Sequence, residues 1–299
     1  MKNQENVSPT PRRHPSWLKV RAPLGEGVHR LKKLMNGLKL NTVCEEARCP
    51  NLGECWANGV ATFMISGDVC TRGCRYCAVS KGKPLRIKTD EPKRVAEAVK
   101  TMNLRHVVIT SVNRDDLRDG GAMNFASTIF EIRRLHPECV VETLIPDFQG
   151  SRRALQMVLD ARPEILNHNI ETVPRLYSKA RGGGKYDLSL TLLRRAQKWS
   201  PEIVTKTGLM LGLGERKEEI HSVLEDLVQR KVSILTLGQY LRPSEWHLPV
   251  DRYYHPDEFA YWKKTAENLG FKHVESGPLV RSSYLADRQF SSFQKSLKA

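Results

Sequence analysis

An α/β fold built on a parallel sheet follows from three features of the sequence. Six short β-branched runs recur along the chain, each is followed by a stretch with helical periodicity, and glycine and polar residues crowd the strand-to-helix boundaries. Strands that alternate with helices in this way pair in parallel, as a doubly wound layer or as a barrel. At 299 residues the chain is long enough for one large barrel or for two domains.

The opening "MKNQENVSPTPRRHPSW" is polar and punctuated by proline, so residues 1–20 read as a tail. The first strand is "ATFMI" (61–65), followed by a cysteine-bearing loop and then "EPKRVAEAVKTM" (91–102). In that helix Val95, Ala98, Val99 and Met102 fall on one face. "HVVIT" (106–110) leads into "NFASTIFEIRRL" (124–135), and "CVVETLI" (139–145) into "RRALQMVLDA" (152–161). "EILNHNIE" (164–171) precedes "LSLTLLRRAQKW" (188–199), and "EIVTKTGLML" (202–211) precedes "EEIHSVLEDLVQRK" (218–231). The sixth unit is "SILTLGQY" (233–240) with "PDEFAYWKKTAENLG" (256–270). The connections "SVNRDDLRDGG", "PDFQG", "NIETVPR" and "GLGER" all follow strands, where α/β folds gather their active sites, and predict one ligand-binding rim.

Composition narrows the setting. A hydrophobic share of 40% and a charged share of 27% are those of an ordinary globular chain. No apolar run approaches the roughly 20 residues that cross a bilayer, and the N-terminus lacks the apolar stretch of a secretory signal. A cytoplasmic, reducing compartment is therefore expected, where clustered cysteines bind metal rather than form disulfides. The net charge of +15 points to an acidic partner: nucleic acid, an acidic carrier protein and an anionic membrane all satisfy it, as does a surface that is simply solvated.

Six of the seven cysteines fall into two triads. Cys70, Cys74 and Cys77 form C-x3-C-x2-C in "DVCTRGCRYCAV", directly after the first strand. Cys44, Cys49 and Cys55 form C-x4-C-x5-C in "CEEARCPNLGECW", just before it. Three thiolates, with no histidine nearby in sequence, leave one coordination position open. Either triad suits a zinc site completed from elsewhere or a [4Fe–4S] cube tied at three irons. Cys139 begins an apolar strand and is expected to pack as a small hydrophobe, the alternative being a fourth ligand to a cysteine triad.

The C-x3-C-x2-C run after the first strand, with the aromatic Tyr76 before its last cysteine, resembles the signature of the radical S-adenosylmethionine enzymes. With "CPNLGECW", "VVITSVNRDDLRDGGA", "LIPDFQG", "NHNIETVPRLY", "GLMLGLGE", "GQYLRPSEWHLPV" and "GPLVRSSY", the chain resembles the lipoyl synthase family from about Trp17 to about Ala286. That resemblance implies a partial (β/α)6 barrel of the radical S-adenosylmethionine type, with N- and C-terminal extensions carrying an auxiliary cluster. It divides the chain into the tail (1–20), an N-terminal extension (21–60), the barrel (61–275) and a C-terminal extension (276–299). The implied activity is insertion of two sulfur atoms at C6 and C8 of a protein-bound octanoyl group. Cys70, Cys74 and Cys77 would hold the cluster that cleaves S-adenosylmethionine. Cys44, Cys49 and Cys55, with Ser283 of "RSSY" as fourth ligand, would hold the auxiliary [4Fe–4S] cluster that donates sulfur.

An alkoxide ligand is harder than a thiolate and suits soft iron less well, which fits a cluster meant to be consumed. Ser111, Asn113, Asn169 and Glu171 are offered as contacts to S-adenosylmethionine, with Arg114 beside them. Two molecules of S-adenosylmethionine would be used for each product. The implied partners are octanoylated lipoyl carrier domains of 2-oxoacid dehydrogenase complexes and the glycine-cleavage H protein. An electron donor such as flavodoxin or ferredoxin and an iron–sulfur carrier that rebuilds the cluster are implied too. Gly182, Gly183 and Gly184 depart from the family's less glycine-rich loop.

A radical methylthiotransferase acting on tRNA would also pair two clusters with basic charge, but no separate RNA-binding module follows the sixth helix, which argues against nucleic acid. A zinc-stabilised adaptor without enzymatic activity is the third reading. Trp246 and His247 of "SEWHLPV" either line an acyl tunnel or simply pack. Asp116 and Asp119 are expected in salt bridges or caps rather than as an acid–base pair, and His136 and His255 as solvated groups at helix boundaries.

Overall fold

A computed structural model of the chain describes residues 14–19, 26–46, 49, 51–57 and 60–296. Most of the expected polar tail lies outside these residues. Its described end is a 3-10 turn, Ser16–Leu18, that buries Leu18.

The N-terminal extension contributes α1 (Glu26–Gly37), the two-residue strand β1 (Asn41–Thr42), α2 (Val43–Glu46) and α3 (Leu52–Ala57). The chain then enters β2 (Val60–Ile65), whose six residues are all buried, as expected of a parallel strand covered on both faces. After β2 come the short pair β3 (Val69–Cys70) and β4 (Ser80–Lys81), then α4 (Glu91–Thr101). The alternation continues as β5 (His106–Ser111), α5 (Ala122–Leu135), β6 (Val140–Leu144), α6 (Arg152–Asp160) and β7 (Ile165–Asn167). It runs on through α7 (Tyr177–Ala180), α8 (Tyr186–Trp199), β8 (Val204–Leu211), α9 (Lys217–Gln229), β9 (Ile234–Gln239) and α10 (Pro256–Leu269). It ends in β10 (His273–Gly277) and α11 (Ala286–Ser296).

The main sheet has the order β1-β2-β5-β6-β7-β8-β9-β10. Only β1 runs antiparallel, so seven parallel strands advance one place at a time in a single direction. Among the described residues the outermost strands, β1 and β10, do not pair with each other, which makes a partial barrel. All six expected strand–helix units are present, and β10 adds a seventh parallel strand that the periodicity did not mark. It spans residue 275, where the resemblance divides barrel from C-terminal extension.

The strand expected over 164–171 is paired only at Ile165–Asn167. His168 and Asn169 leave the ladder, and the His168 ring binds the Ile145 carbonyl and the Ser189 hydroxyl at 2.8 and 2.9 Å. Glu171 then turns with φ of +68° and rejoins β8 through a single bridge to Leu209. Polar side chains have replaced ladder bonds here and open the rim.

Two apolar layers fasten the helices to the outside of the sheet. One groups Val95, Val99, Phe125, Ile129 and Ile132 with Phe63, Ile109, Val141 and the buried Cys139, so Cys139 is a core residue. The other groups Leu193, Leu209, Val223, Leu224, Leu235, Phe259 and Trp262. The barrel interior is polar at mid-height. Lys206 on β8, with no exposed side chain, binds Glu142 on β6 at 2.9 Å, and Asn167 on β7 donates to Glu142 at 3.0 Å. Below this layer Phe290 and Phe293 of α11 pack on Ile165 and Ile234.

Candidate metal and cofactor site

Cys70 closes β3, and its sulfur accepts from the backbone N–H of Arg72 (3.4 Å) and Asn113 (3.3 Å). The loop that follows is held from four sides. Thr71 donates through N and Oγ1 to the Asn113 carbonyl, Arg75 N donates to Ala180 O at 2.8 Å, and Leu248 N donates to Arg75 O at 2.9 Å. His247 Nε2 donates to the Cys77 carbonyl at 2.8 Å while its Nδ1 faces the Ser244 hydroxyl at 2.8 Å. A carbonyl can only accept, so it fixes the Nε2–H tautomer.

The fourth restraint is Arg72. Its guanidinium makes two bidentate forks, to Asp115 (2.6 and 2.9 Å) and to Asp147 (both 2.7 Å). Asp115 follows β5 and Asp147 follows β6, so the loop is tied to two successive strand ends. The glycine run fits around the same loop. A Cβ on Gly182 would stand 3.2 Å from the Gly73 carbonyl, and Gly183 sits at φ +76° against Arg72.

The other triad is assembled from both ends of the chain. Cys44 on α2 and Cys55 on α3 are buried with Leu52, Trp56 and Val60, and Cys49 and Tyr284 pack against them. Asn51 donates to the Leu279 carbonyl at 2.6 Å, and Tyr284 donates to Glu54 at 3.1 Å. The C-terminal segment crosses the end of β9 so closely that a Cβ on Gly238 would lie 2.1 Å from Val280 O. Glycine is required there by contact, not by its dihedral freedom. This crossing delivers Ser282 and Ser283 to the same cavity as Cys44 and Cys49.

That cavity, of about 510 Å3, lies at the strand C-termini, and Cys70, Cys74 and Cys77 line it together with Cys44 and Cys49. Burial pushes the Cys44 thiol up to about 11, with Cys49 adding to the rise. Burial and then the neighbouring Cys44 and Cys49 push Cys55 to about 12. Cys77 is likewise raised to about 12, by burial first and then by Cys74 and Cys70. Each triad also has a guanidinium beside it, the buried Arg181 and the half-buried Arg281. Arg181 opposes the burial-driven rise of Cys74, and Arg281 that of Cys49. Buried anions need such partners.

Ser111, Asn113, Asn169 and Glu171 all line the cavity. Ser111 Oγ and Asn169 Oδ1 are buried without a hydrogen-bond partner, as donors and acceptors awaiting a polar ligand are. Asn169 Nδ2 donates to Glu171 at 3.3 Å. Burial raises the Glu171 carboxyl despite the Arg181 guanidinium. Asn113 uses its backbone to anchor the cysteine loop.

Arg114 is committed elsewhere, to Asp116 (2.8 Å) and the Ser66 carbonyl (3.1 Å), and is not a lining residue. Asp119 accepts from Gly121 N and Met123 N at the start of α5, so the two carboxylates bridge and cap. His255 caps α10, and His136 binds the Leu104 carbonyl. Trp246 is 55% exposed and His247 clamps Cys77, so both belong to the loop's support and neither lines the cavity. The sequence reading missed Arg72, Asp147 and Arg181. Their signal was an arginine inside the cysteine run and acidic residues after two consecutive strands.

The donor set fits metal–sulfide groups. Buried thiols with raised pKa stay protonated near neutrality unless a cation replaces the proton. Among the described residues no three His, Cys, Asp or Glu side chains close on a single metal ion, as zinc at about 2.3 Å from each sulfur requires. The cavity of about 510 Å3 has the volume for groups larger than a single ion.

Sequence comparison matches the radical SAM superfamily over residues 64–227 and the N-terminal domain of lipoyl synthase of the radical SAM family over residues 2–49. The chain is 57% identical over 293 residues to the lipoyl synthase of Koribacter versatilis, covering 98% of this chain and 96% of that one. It is 60% identical over 275 residues to that of Rubrobacter xylanophilus, covering 92% and 86%. Among solved structures, methylornithine synthase superposes with a TM-score of 0.54 at 15% identity, covering 91% of each chain. Streptococcus suis SuiB bound to its precursor peptide SuiA gives 0.57 at 8% identity, over 76% of this chain and 52% of that one. These two likenesses concern the fold alone.

Proposed function

The chain belongs to the lipoyl synthase family of the radical S-adenosylmethionine superfamily, and from that premise we propose how its residues divide the reaction between two centres. It is a sulfurtransferase that inserts two sulfur atoms at C6 and C8 of a protein-bound octanoyl group. Family membership implies one [4Fe–4S] cluster and S-adenosylmethionine. Cys70, Cys74 and Cys77 hold that cluster, and Cys44, Cys49, Cys55 and Ser283 hold a second, auxiliary one. When bound, these groups supply hydrogen abstraction from unactivated carbon at the first centre and sulfur at the second.

The observation that carries this reading is that cysteines of both triads, with Ser283, line one cavity. An acyl chain entering it meets both centres without leaving the protein. Ser111 and Asn169 offer unpaired polar atoms for the methionine and ribose groups of S-adenosylmethionine. Arg181 and Arg281 balance the negative charge that ligated sulfur brings to each side. Tyr76, half-buried and lining the cavity with Glu171 and Cys74, helps to exclude water.

The substrate is the octanoyl-lysine of an acidic lipoyl carrier domain or of the H protein, and the net charge of +15 favours its approach. A flavodoxin or ferredoxin supplies electrons, and an iron–sulfur carrier rebuilds the auxiliary cluster. No helix among the described residues is long and apolar enough to cross a membrane; we place the chain in the cytoplasm, where such reductants and carriers reside.

The test is to build the clusters anaerobically with isotopically labelled sulfide and supply an octanoylated substrate. Label in the dithiolane is expected, and unlabelled dithiolane would exclude the auxiliary cluster as donor. Ser283→Cys should retain the second cluster but slow the second insertion. Wild-type yield from that variant in a single turnover would remove the special role given to the serine.

A further inference from the structure

We propose that residues 81–88, "KGKPLRIK", form the docking strap for the acidic face of the octanoylated carrier. The inference rests on the function proposed above and adds a place on the molecule that none of the motifs assigned. Lys81 in β4 pairs with Cys70 in β3, and Gly82 N donates to the Cys70 carbonyl at 3.0 Å. The strap therefore starts at a residue of the C-x3-C-x2-C triad. Ala78 and Val79, just before it, line the cavity, so the strap leaves from the cavity's own rim.

Between β4 and α4 the chain runs without regular structure, and Lys81, Lys83, Leu85, Arg86 and Lys88 are all exposed. Leu85 is 85% exposed, the highest value among the large hydrophobic residues that stand in solvent. Among the described residues Lys81, Lys83 and Arg86 have no ion-pair partner, and the strap contains no acidic residue. An apolar side chain held out between unpaired cations complements a surface that is acidic around an apolar spot. Docking there sets a carrier's acyl-lysine arm beside the opening. Lys88 lies near Asp90, whose carboxyl it helps to lower after Arg94, and is the least available of the cations.

The experiment uses the holoenzyme and two substrates: an octanoylated lipoyl carrier domain, and a short octanoyl-lysine peptide without an acidic surface. The variants are Lys83→Glu with Arg86→Glu, Leu85→Asp, and Lys264→Glu on the exposed face of α10 as a control. For the double variant and for Leu85→Asp, KM for the carrier should rise about tenfold with kcat unchanged. Turnover of the peptide should not change, and the control should match wild type. The double variant's carrier KM should also depend less on salt than wild type's.

An unchanged carrier KM overturns the docking site while leaving the proposed function standing. A parallel loss on the peptide overturns it too, because the change would then have reached the cysteine loop. If wild-type protein converts neither substrate, the function reading falls and takes the docking site with it.

Discussion

Arg72 and Asp147 face each other as a buried bidentate pair, with both N···O distances at 2.7 Å and the Asp147 side chain fully enclosed. The arginine lies between Cys70 and Cys74, and the aspartate lies past the end of β6. The loop that carries Cys70, Cys74 and Cys77 is thereby tied to the barrel by planar hydrogen bonding. Asp115 completes the arrangement on the other edge of the guanidinium.

Lysine cannot reproduce two forks. Arg72→Lys should leave the barrel folded, as judged by circular dichroism, yet lower 5′-deoxyadenosine formation from S-adenosylmethionine by about tenfold or more. Asp147→Asn should act in the same direction. If Arg72→Lys cleaves S-adenosylmethionine at the wild-type rate, the fork is not what sets the loop.

The two triads should separate cleanly on mutation. Cys74→Ala is expected to abolish 5′-deoxyadenosine formation. Cys49→Ala is expected to spare cleavage uncoupled from product while abolishing sulfur insertion. Product and 5′-deoxyadenosine measured on the same samples decide it, and equal loss of cleavage in both variants would refute the assignment.

Gly238→Ala places a methyl group where the Val280 carbonyl already stands, 2.1 Å away. Backbone on both sides leaves no flexible atom to yield, so the segment carrying Arg281 and Ser283 must move. Anaerobic iron analysis should fall from about eight per chain to about four, with cleavage of S-adenosylmethionine retained. A full complement of iron in this variant would mean that the crossing does not position the auxiliary site.

The barrel interior sets an acid limit. Burial pushes the Glu142 carboxyl up, but the Lys206 ammonium and then His106 outweigh it and hold it below the ordinary carboxylate range. A carboxylate depressed in the folded state contributes stability above its unfolded pKa of about 4.3 and loses it as pH falls toward the depressed value. Denaturant midpoints of wild type should therefore drop more steeply between pH 6 and pH 3 than those of the Glu142→Gln, Lys206→Met double variant. Glu142→Gln alone, which strands the ammonium, should cost about 3–5 kcal/mol at neutral pH.

Much of this was legible before any coordinates. The strand–helix rhythm gave all six units because each strand is buried on both faces and each helix on one. The cysteine spacings marked both triads, but that Cys44 and Cys49 share a cavity with Cys70, Cys74 and Cys77 depends on how the N-terminal extension folds back, which no spacing announces. Other features were not legible for physical reasons. Strand β10, "HVESG", carries two ionisable residues and a glycine, so no apolar pattern announces it. The run over 164–171 looked like one strand, yet His168 and Asn169 find partners outside the ladder. Trp246 and His247 read as possible tunnel walls, but the Cys77 carbonyl needed a donor and His247 supplies it. Arg72 and Asp147 are 75 positions apart, and only the fold brings them together.

The convergence of Cys44 and Cys49 with Ser283 on one cavity has a consequence for biogenesis. On the ligand set proposed here, the three sulfurs are synthesised more than two hundred residues ahead of their oxygen companion. A nascent chain that stops short of Ser283 owns every thiol of that set but not its oxygen, so on this assignment the centre is completed only once the segment carrying Ser283 has been made. On that assignment a polypeptide cut short before Ser283 would keep the Cys70, Cys74 and Cys77 loop yet have nothing complete to hand over.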